Sequence, residues 1–332
     1  MSKSAFVAVV GRPSAGKSTL VNALCGHKVS IVSPVPQTTR NAIRGIHTSE
    51  RGQLIFIDTP GYHQSERKFN LKLTGIVKGS MGDCDLVLYL VDSSRHFGEE
   101  EQELMEMVAG CHKPFIVVLN KADLTGMAAS TGAGVKSIAE SAGNAVGVRK
   151  ALLEGLPKAN TTIEISALSG VNLEALKDLL FNYAVEGHEW YPAEFYTDQE
   201  PDFRITEMIR EQVMNRTREE IPHAAYVEIA DLDLRQADGT IITPADNYDV
   251  EAAWELPASK KPRLTIRAFV CVERDSQKGI VVGKGGTVIK AIRESAEQEI
   301  RKLFPYFVTL DLRVKVAPKW RNDDGLIERM IH

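Results

Sequence analysis

Gly11-Arg-Pro-Ser-Ala-Gly-Lys-Ser18 lies near the start of this 332-residue chain and determines how its first part folds. It fits the pattern G-x-x-x-x-G-K-[ST], in which backbone N–H groups turn toward phosphate oxygens. An apolar run at residues 5–10 predicts a buried strand before it, and residues 17–25 predict a helix after it. We expect Lys17 to reach the β- and γ-phosphates and Ser18 to hold Mg²⁺.

A second motif, Asp58-Thr-Pro-Gly61, follows a short apolar strand at residues 54–57. A carboxylate at the end of such a strand can reach Mg²⁺ through water. A glycine there lets the backbone approach a γ-phosphate. The order of the two motifs along the chain therefore predicts a nucleoside triphosphate site.

The run Asn120-Lys-Ala-Asp123 ends another buried strand, at residues 115–120, and predicts that the base is guanine. The Asp123 carboxylate accepts from guanine N1–H and the 2-amino group. Adenine offers neither donor and would leave the carboxylate unpaired. Further on, Ser166-Ala-Leu168 predicts the last base-contacting loop, with the Ala167 N–H facing guanine O6.

Alternating apolar runs and helical stretches up to about residue 185 predict an α/β fold with a mainly parallel sheet covered by helices on both faces. All the motifs fall at carboxyl ends of strands, where such sheets bind ligands. The four cysteines are far apart and read as reduced thiols. Apolar runs of about six residues at most are too short to predict a transmembrane segment.

Aromatic and proline-rich residues 187–201 predict a linker, and an α+β unit follows. Its expected order is helix, strand, strand, helix, helix, strand. The G-x-x-G run Gly283-Lys-Gly-Gly286 lies between the two later helices. This arrangement is typical of a KH domain, whose glycine loop clamps about four nucleotides. We expect Gly283, Lys284, Gly285 and Gly286 to bind RNA.

Charge separates the two parts of the chain. Residues 260–321 carry 15 Lys and Arg against 6 Asp and Glu, a net of +9, whereas the whole chain is −4. A basic segment that also holds the G-x-x-G loop favours a polyphosphate partner over a merely solvated surface.

Together these motifs make the chain similar to the Era family, in which a P-loop GTPase domain is joined to a C-terminal type II KH domain. The resemblance covers nearly the full length and rests on Gly11–Ser18, Pro36–Arg40, Asp58–Gly61, Asn120–Asp123, Ser166–Leu168 and Gly283–Gly286. It implies a GTPase domain at 1–186, a linker at 187–201 and a KH RNA-binding domain at 202–332.

The resemblance implies hydrolysis of GTP to GDP and phosphate, with GTP, GDP and Mg²⁺ as ligands. It also implies binding of 16S ribosomal RNA near its 3′ end and a role in 30S subunit assembly. The implied location is cytoplasmic, with peripheral association at the inner face of the cell membrane. We expect a monomer.

The predicted site residues fall into three groups. For catalysis we expect Lys17, Ser18, Thr38, Thr39 and Gly61, and for Mg²⁺ we expect Ser18, Thr38, Thr39 and Asp58. For the nucleotide we expect Gly11, Arg12, Pro13, Ser14, Ala15, Gly16, Lys17, Ser18, Thr19, Asp58, Thr59, Pro60, Gly61, Asn120, Lys121, Asp123, Ser166, Ala167 and Leu168.

Three points near this site stay open. Either Thr38 or Thr39 senses the γ-phosphate. Tyr62 stands where Ras-like GTPases carry a water-orienting Gln, and a phenol cannot replace the amide, so slow turnover is expected. The acids Glu99–Glu101 are expected to favour a helix dipole, and His63 to be an exposed switch residue.

Three functions fit these observations. The first is an RNA-regulated GTP switch acting on the ribosome precursor. The second is a KH module whose GTPase domain is a nucleotide-locked scaffold. The third, a metabolic NTP-dependent kinase, is disfavoured by Asn120–Asp123 and by the lack of an evident acceptor-substrate motif.

Overall fold

The computed structural model describes residues 2–63, 68–124, 135–156, 161–243 and 252–331. Within them the chain forms two compact units. The first comprises residues 1–198 and 324–332, and the second comprises residues 199–323. Residues 244–251 of the polar segment after the second unit's first strand lie outside the described residues.

The first unit alternates strands and helices along the chain. Its strands are β1 (Lys3–Val10), β2 (Ile43–Ser49), β3 (Gly52–Asp58), β4 (Leu86–Asp92), β5 (Phe115–Asn120), β6 (Thr161–Glu164) and β7 (Val185–Glu186). Its helices are α1 (Lys17–Cys25), α2 (Lys68–Asp83), α3 (Glu99–Ala109), α4 (Val135–Gly155) and α5 (Leu173–Tyr183). The three strands and the helix predicted around the motifs correspond to β1, β3, β5 and α1, with bounds that agree to within two residues.

These strands form one sheet in the order β2-β3-β1-β4-β5-β6. All neighbours in that path are parallel except β2 and β3, and β7 adds an antiparallel pairing to β1. β3, β4 and β5 are buried along their whole length, as expected for strands covered by helices on both faces. The predicted α/β class with a mainly parallel sheet is therefore confirmed.

Residues 187–198 pack on the first unit, whereas the sequence suggested a linker there. The Gln53 side chain is fully buried and its Oε1 accepts from the N–H groups of Trp190 and Tyr191, at 2.9 and 3.1 Å. Ile46 N donates to the Tyr196 carbonyl at 2.9 Å. The segment thus forms hydrogen bonds with backbone groups on the outer side of β2. Without it, β2 would be an unpaired edge strand.

The last helix, α10 (Asp324–Met330), also belongs to the first unit, although the sequence analysis assigned it to the second. Its Ile327 is fully buried. Asp324 accepts from Lys68 Nζ at 2.5 Å, and the Asn41 amide donates to the Met330 carbonyl at 3.0 Å. The predicted domain boundaries therefore differ from the compact units at both ends of the second unit.

The second unit contains α6 (Pro201–Arg216), α7 (Ile221–Ala224), β8 (Tyr226–Arg235), β9 (Arg263–Val272), α8 (Asp275–Val282), α9 (Thr287–Leu303) and β10 (Phe307–Val316). Its sheet has the order β10-β9-β8, with β10 parallel and β8 antiparallel to β9. In β9, Leu264, Ile266 and Ala268 are buried and alternate with exposed residues, so one face carries the helices. The predicted α+β order is confirmed, with the short α7 in addition.

All four cysteines are free, and Cys25, Cys84 and Cys271 are buried. In the part of the chain that the structure describes, no helix combines the length and the apolar character that crossing a bilayer requires.

Gly52 offers a test of the first unit's packing. It follows the turn between β2 and β3 with φ +124°, and a Cβ there would lie 1.9 Å from the Lys3 carbonyl oxygen. We expect Gly52→Ala to lower the unfolding temperature of the first unit by about 4–8 °C, because strain of about 2 kcal/mol has that effect in a domain of this size. Calorimetry of the full chain would measure it, with that unit's transition recognised by its shift on adding GDP.

Gly79→Ala is the matched control, because Gly79 lies exposed in α2 with open space where its Cβ would be. It should leave the transition unchanged or raise it slightly. Equal unfolding temperatures for Gly52→Ala and the wild type would contradict this packing.

Candidate functional site

The phosphate loop joins β1 to α1 and is shaped around Lys17. Its ammonium is buried and donates to the carbonyls of Gly11 and Arg12, both at 3.0 Å. Burial lowers the pKa of Lys17 to about 8, although Asp58 and Glu101 act in the opposite direction. Phosphate oxygens would stabilise the charged form, so the loop is built to receive an anion.

A second corner of the site gathers three oxygen-bearing side chains. Asp58 Oδ2 accepts from Ser18 Oγ at 2.7 Å and from Thr39 Oγ1 at 3.2 Å, and the two hydroxyls are 3.0 Å apart. Asp58 Oδ1 is buried and accepts no hydrogen bond among the described residues. Burial raises the pKa of Asp58, whereas the positive charge of Lys17 acts to lower it.

This corner fits Mg²⁺, which prefers hard oxygen ligands and keeps several waters. Ser18, Thr39 and Asp58 would hold the ion, and an added cation would favour the ionised form of Asp58. Of the two candidate threonines, Thr39 is the one whose hydroxyl reaches this corner. Thr38 lines the neighbouring cavity.

The third corner is organised by Asn120, whose side chain is 2% exposed. Its Nδ2 donates to the Ala15 carbonyl at 2.8 Å, and its Oδ1 accepts from Ala167 N at 2.9 Å. Gly16 lies against it with φ +97°, and a Cβ at Gly16 would be 2.4 Å from Asn120 Nδ2. Asn120 therefore fixes the phosphate loop against the loop that follows β6.

Asp123 and Lys121 complete this corner. Asp123 Oδ1 accepts from Ser166 Oγ at 2.6 Å, which orients the carboxylate. Lys121 Nζ donates to Asp92 Oδ2 at 2.7 Å. The contact to Ser166 leaves the other oxygen of Asp123 for a ligand, as base recognition requires.

A cavity of about 410 Å³ joins the three corners. The predicted residues that line it are Pro13, Ser14, Gly16, Lys17, Ser18, Thr19, Thr38, Thr39, Gly61, Asn120, Lys121, Asp123, Ala167 and Leu168. The predicted residues that do not line it are Gly11, Arg12, Ala15, Asp58, Thr59, Pro60 and Ser166. The lining residues that were not predicted as site residues are Val32, Ser33, Pro34, Gln37, Arg95 and Leu124. For Arg95 a signal existed, since it follows the carboxyl end of β4.

Several side chains near the loop point elsewhere. The Arg12 guanidinium contacts the carboxylate of Glu100 on α3, and Thr59 Oγ1 donates to the Val9 carbonyl at 2.7 Å. The Tyr62 hydroxyl donates to Glu103 Oε2 at 3.1 Å. Tyr62 is therefore turned toward α3 and presents no group to a water at the cavity.

The predicted RNA loop joins α8 to α9 in the second unit. Gly283, Gly285 and Gly286 all have positive φ, at 74°, 62° and 78°. A Cβ at Gly285 or Gly286 would meet open space, so the loop's backbone is accessible to a ligand. Lys284 is exposed and forms no ion pair with any described carboxylate. The loop leads into the N-terminus of a 17-residue helix, which favours phosphate.

Comparison with known proteins agrees with this geometry. Residues 6–121 match the family model described as 50S ribosome-binding GTPase, and residues 253–321 match the KH domain model. GTPase Era of Treponema denticola is 43% identical over 98% of this chain and 99% of that protein. GTPase Era of Borrelia garinii subsp. bavariensis is 41% identical over 99% of this chain and its own full length.

Two solved structures resemble nearly the whole chain. One is Era in complex with MgGDPNP and nucleotides 1506–1542 of 16S ribosomal RNA, with a TM-score of 0.82 and 30% identity over 99% of this chain and 98% of that chain. The other is a variant of Aquifex aeolicus Era bound to GDP and AlF₄⁻, with the same TM-score and identity over 98% of each chain.

Asp123→Asn tests the base corner. We expect the affinity for GDP to fall by about 100-fold or more, because a charged acceptor for two guanine donors is lost. The affinity for xanthosine diphosphate should rise, since the new amide can donate to the extra carbonyl at C2. Titration calorimetry with both nucleotides would measure the exchange.

Asp83→Asn serves as the control, because Asp83 is exposed at the end of α2. It should leave both affinities unchanged. Unchanged GDP affinity in Asp123→Asn would remove Asp123 from the base site.

Proposed function

The chain belongs to the Era family of GTPases, and on that premise we propose that it is a GTP switch that binds small-subunit ribosomal RNA through its KH domain and acts in 30S subunit assembly. The observation that carries the proposal is the pairing, in one chain, of a guanine and phosphate site with an accessible G-x-x-G loop.

The chain is a GTPase, with GTP and GDP as its nucleotides and Mg²⁺ as its metal. The predicted family, activity and cofactors are thereby confirmed. The alternative of a nucleotide-locked scaffold is disfavoured, because relatives that are 41–43% identical over nearly the whole chain are named GTPases.

The residues of the first unit have separable roles in this reaction. Lys17 would give up its hydrogen bonds to the loop carbonyls and donate to phosphate oxygens instead. Its positive charge would then offset the negative charge that develops on those oxygens. Ser18, Thr39 and Asp58 would hold Mg²⁺, which supplies further positive charge when it is bound. Gly61 lines the cavity and would bring its backbone N–H to the γ-phosphate. Tyr62, at the position of the water-orienting Gln, faces Glu103 and does not take that part, so a slow intrinsic rate is expected.

The second unit would bind the RNA. The related Era structure contains nucleotides 1506–1542 of 16S ribosomal RNA, and we propose that this chain binds the same 3′ region. Three positive-φ glycines allow phosphates to approach the backbone, and Lys284 adds charge. We include in the proposal a monomeric, cytoplasmic protein with peripheral association at the inner face of the membrane, as the family resemblance implies. In place of the limits 1–186, 187–201 and 202–332, we propose the two compact units as the functional domains, the GTPase domain at residues 1–198 with 324–332 and the KH domain at residues 199–323.

The nucleotide should control RNA binding. A γ-phosphate can order segments around Thr39 and Gly61, and such a change can alter the affinity at a second site by about 5- to 150-fold. We expect the full chain with GDPNP to bind a 16S rRNA fragment of nucleotides 1506–1542 more tightly than the chain with GDP. Fluorescence anisotropy at one stated salt concentration would measure this. Equal affinities in the two states would contradict the switch.

A matched pair of variants locates the RNA site. Lys284→Asp combined with Gly285→Asp should abolish RNA binding and preserve GDP binding. Lys150→Asp combined with Gly147→Asp makes the same charge change on the exposed side of α4, and should keep RNA affinity. An equal loss in both double variants would mean that net charge, and not the G-x-x-G loop, governs binding.

A further inference from the structure

Glu100, in the first turn of α3, contacts both the phosphate loop and the segment after Gly61. It accepts from Arg12 Nε at 3.2 Å and from Arg12 Nη2 at 3.0 Å, and its other oxygen lies 2.5 Å from His63 Nδ1. We infer that Glu100 is a positioning residue for GTP hydrolysis, which fixes the segment Gly61–His63 against the phosphate loop through Arg12 and His63. This inference rests on the GTPase activity of the family.

The segment it fixes already lies on the phosphate loop. Tyr62 N donates to the Gly11 carbonyl at 3.1 Å. Gly61 packs so closely on Pro13 that a Cβ there would lie 2.8 Å from the Pro13 N and Cα atoms. With the Tyr62 hydroxyl on Glu103, each of residues 61–63 is held by the loop or by α3. Glu100 is the one described side chain that touches both the loop's Arg12 and this segment's His63.

Contacts of the neighbouring Glu101 hold the first turn of α3, and with it Glu100, in place. Glu101 is 4% exposed and accepts from the fully buried Tyr89 hydroxyl at 2.6 Å, which ties the first turn of α3 to β4. Glu101 also lies 3.8 Å from Arg12 Nη1. Burial raises the pKa of Glu101, against the influence of Tyr89 and Arg12. The three acids lie in the first turn of α3, where they were expected to favour the helix dipole, and Glu100 and Glu101 make these contacts in addition.

Fixing residues 61–63 matters because no side chain at 62 orients the attacking water. The backbone of this segment would then set where the water lies relative to the γ-phosphate. A displacement of about 1 Å in such an arrangement can cost up to 100-fold in rate. Glu100 and His63 do not line the nucleotide cavity, so their effect would pass through the segment and not through contact with GTP.

Glu100→Gln tests this role, with Glu99→Gln as the control. Glu99 lies in the same helical turn, is exposed, and forms no hydrogen bond or ion pair among the described residues. We expect Glu100→Gln to lower the single-turnover rate of hydrolysis of bound GTP about tenfold. Its affinity for GDP should stay within about twofold of the wild type, because the residue touches neither base nor phosphate. Glu99→Gln should match the wild type in both measurements.

A double-mutant cycle with His63 identifies the route. If Glu100 acts through His63, the variant with both Glu100→Gln and His63→Ala should lose no more rate than the worse single variant. Losses that multiply would overturn the route. Equal rates for Glu100→Gln and Glu99→Gln, or a loss of GDP affinity as large as the loss of rate, would overturn the positioning role. A wild-type chain that fails to hydrolyse GTP would instead contradict the proposed function.

Discussion

The buried carboxamide of Asn120 is the contact on which the nucleotide site depends. It donates to the Ala15 carbonyl and accepts from Ala167 N–H, so a single side chain satisfies one backbone group in each of two loops. Removing it would leave two buried backbone groups unpaired, at a cost of about 1–3 kcal/mol each. The distance between the phosphate corner and the base corner is therefore fixed before any nucleotide arrives, and Gly16 is needed because a Cβ would collide with the same amide.

The nucleotide and Mg²⁺ would supply partners of opposite charge to two side chains of this site. Lys17 and Asp58 are both buried. Burial lowers the pKa of Lys17 and raises the pKa of Asp58, which favours the neutral form of each. Phosphate oxygens and Mg²⁺ would reverse both shifts, so the binding free energy includes relief of a desolvation cost already present in the folded chain. Thr39 and Gly61 line the cavity next to these charges, so they would be among the residues that contact a γ-phosphate. Exchange of GTP for GDP can thus change the segments around Thr39 and Gly61 while the contacts of Asn120 stay the same.

Much of this was predictable from the sequence, because motifs at strand ends fix both topology and chemistry. Asp58, Asn120 and Asp123 lie where the apolar runs before them implied. The packing of residues 187–198 was not predictable, since it depends on the Gln53 amide, a single polar residue within a buried strand. Nor was the placement of α10, which depends on ion pairs with residues some 250 positions away. Glu100 escaped for a related reason: three successive acids look alike in sequence, and only the fold separates the exposed Glu99 from its paired neighbours.

The geometry of the first unit is that of a Mg²⁺-dependent hydrolase specific for guanine nucleotides. Phosphate release by the full chain, measured in parallel with GTP and with ATP under the same Mg²⁺ concentration, tests it most directly. We expect slow release from GTP that Lys17→Ala abolishes. Release from ATP should be slower by about 100-fold or more, because adenine leaves the Asp123 carboxylate unpaired. Equal rates for the two nucleotides, or release from GTP that survives Lys17→Ala, would contradict it.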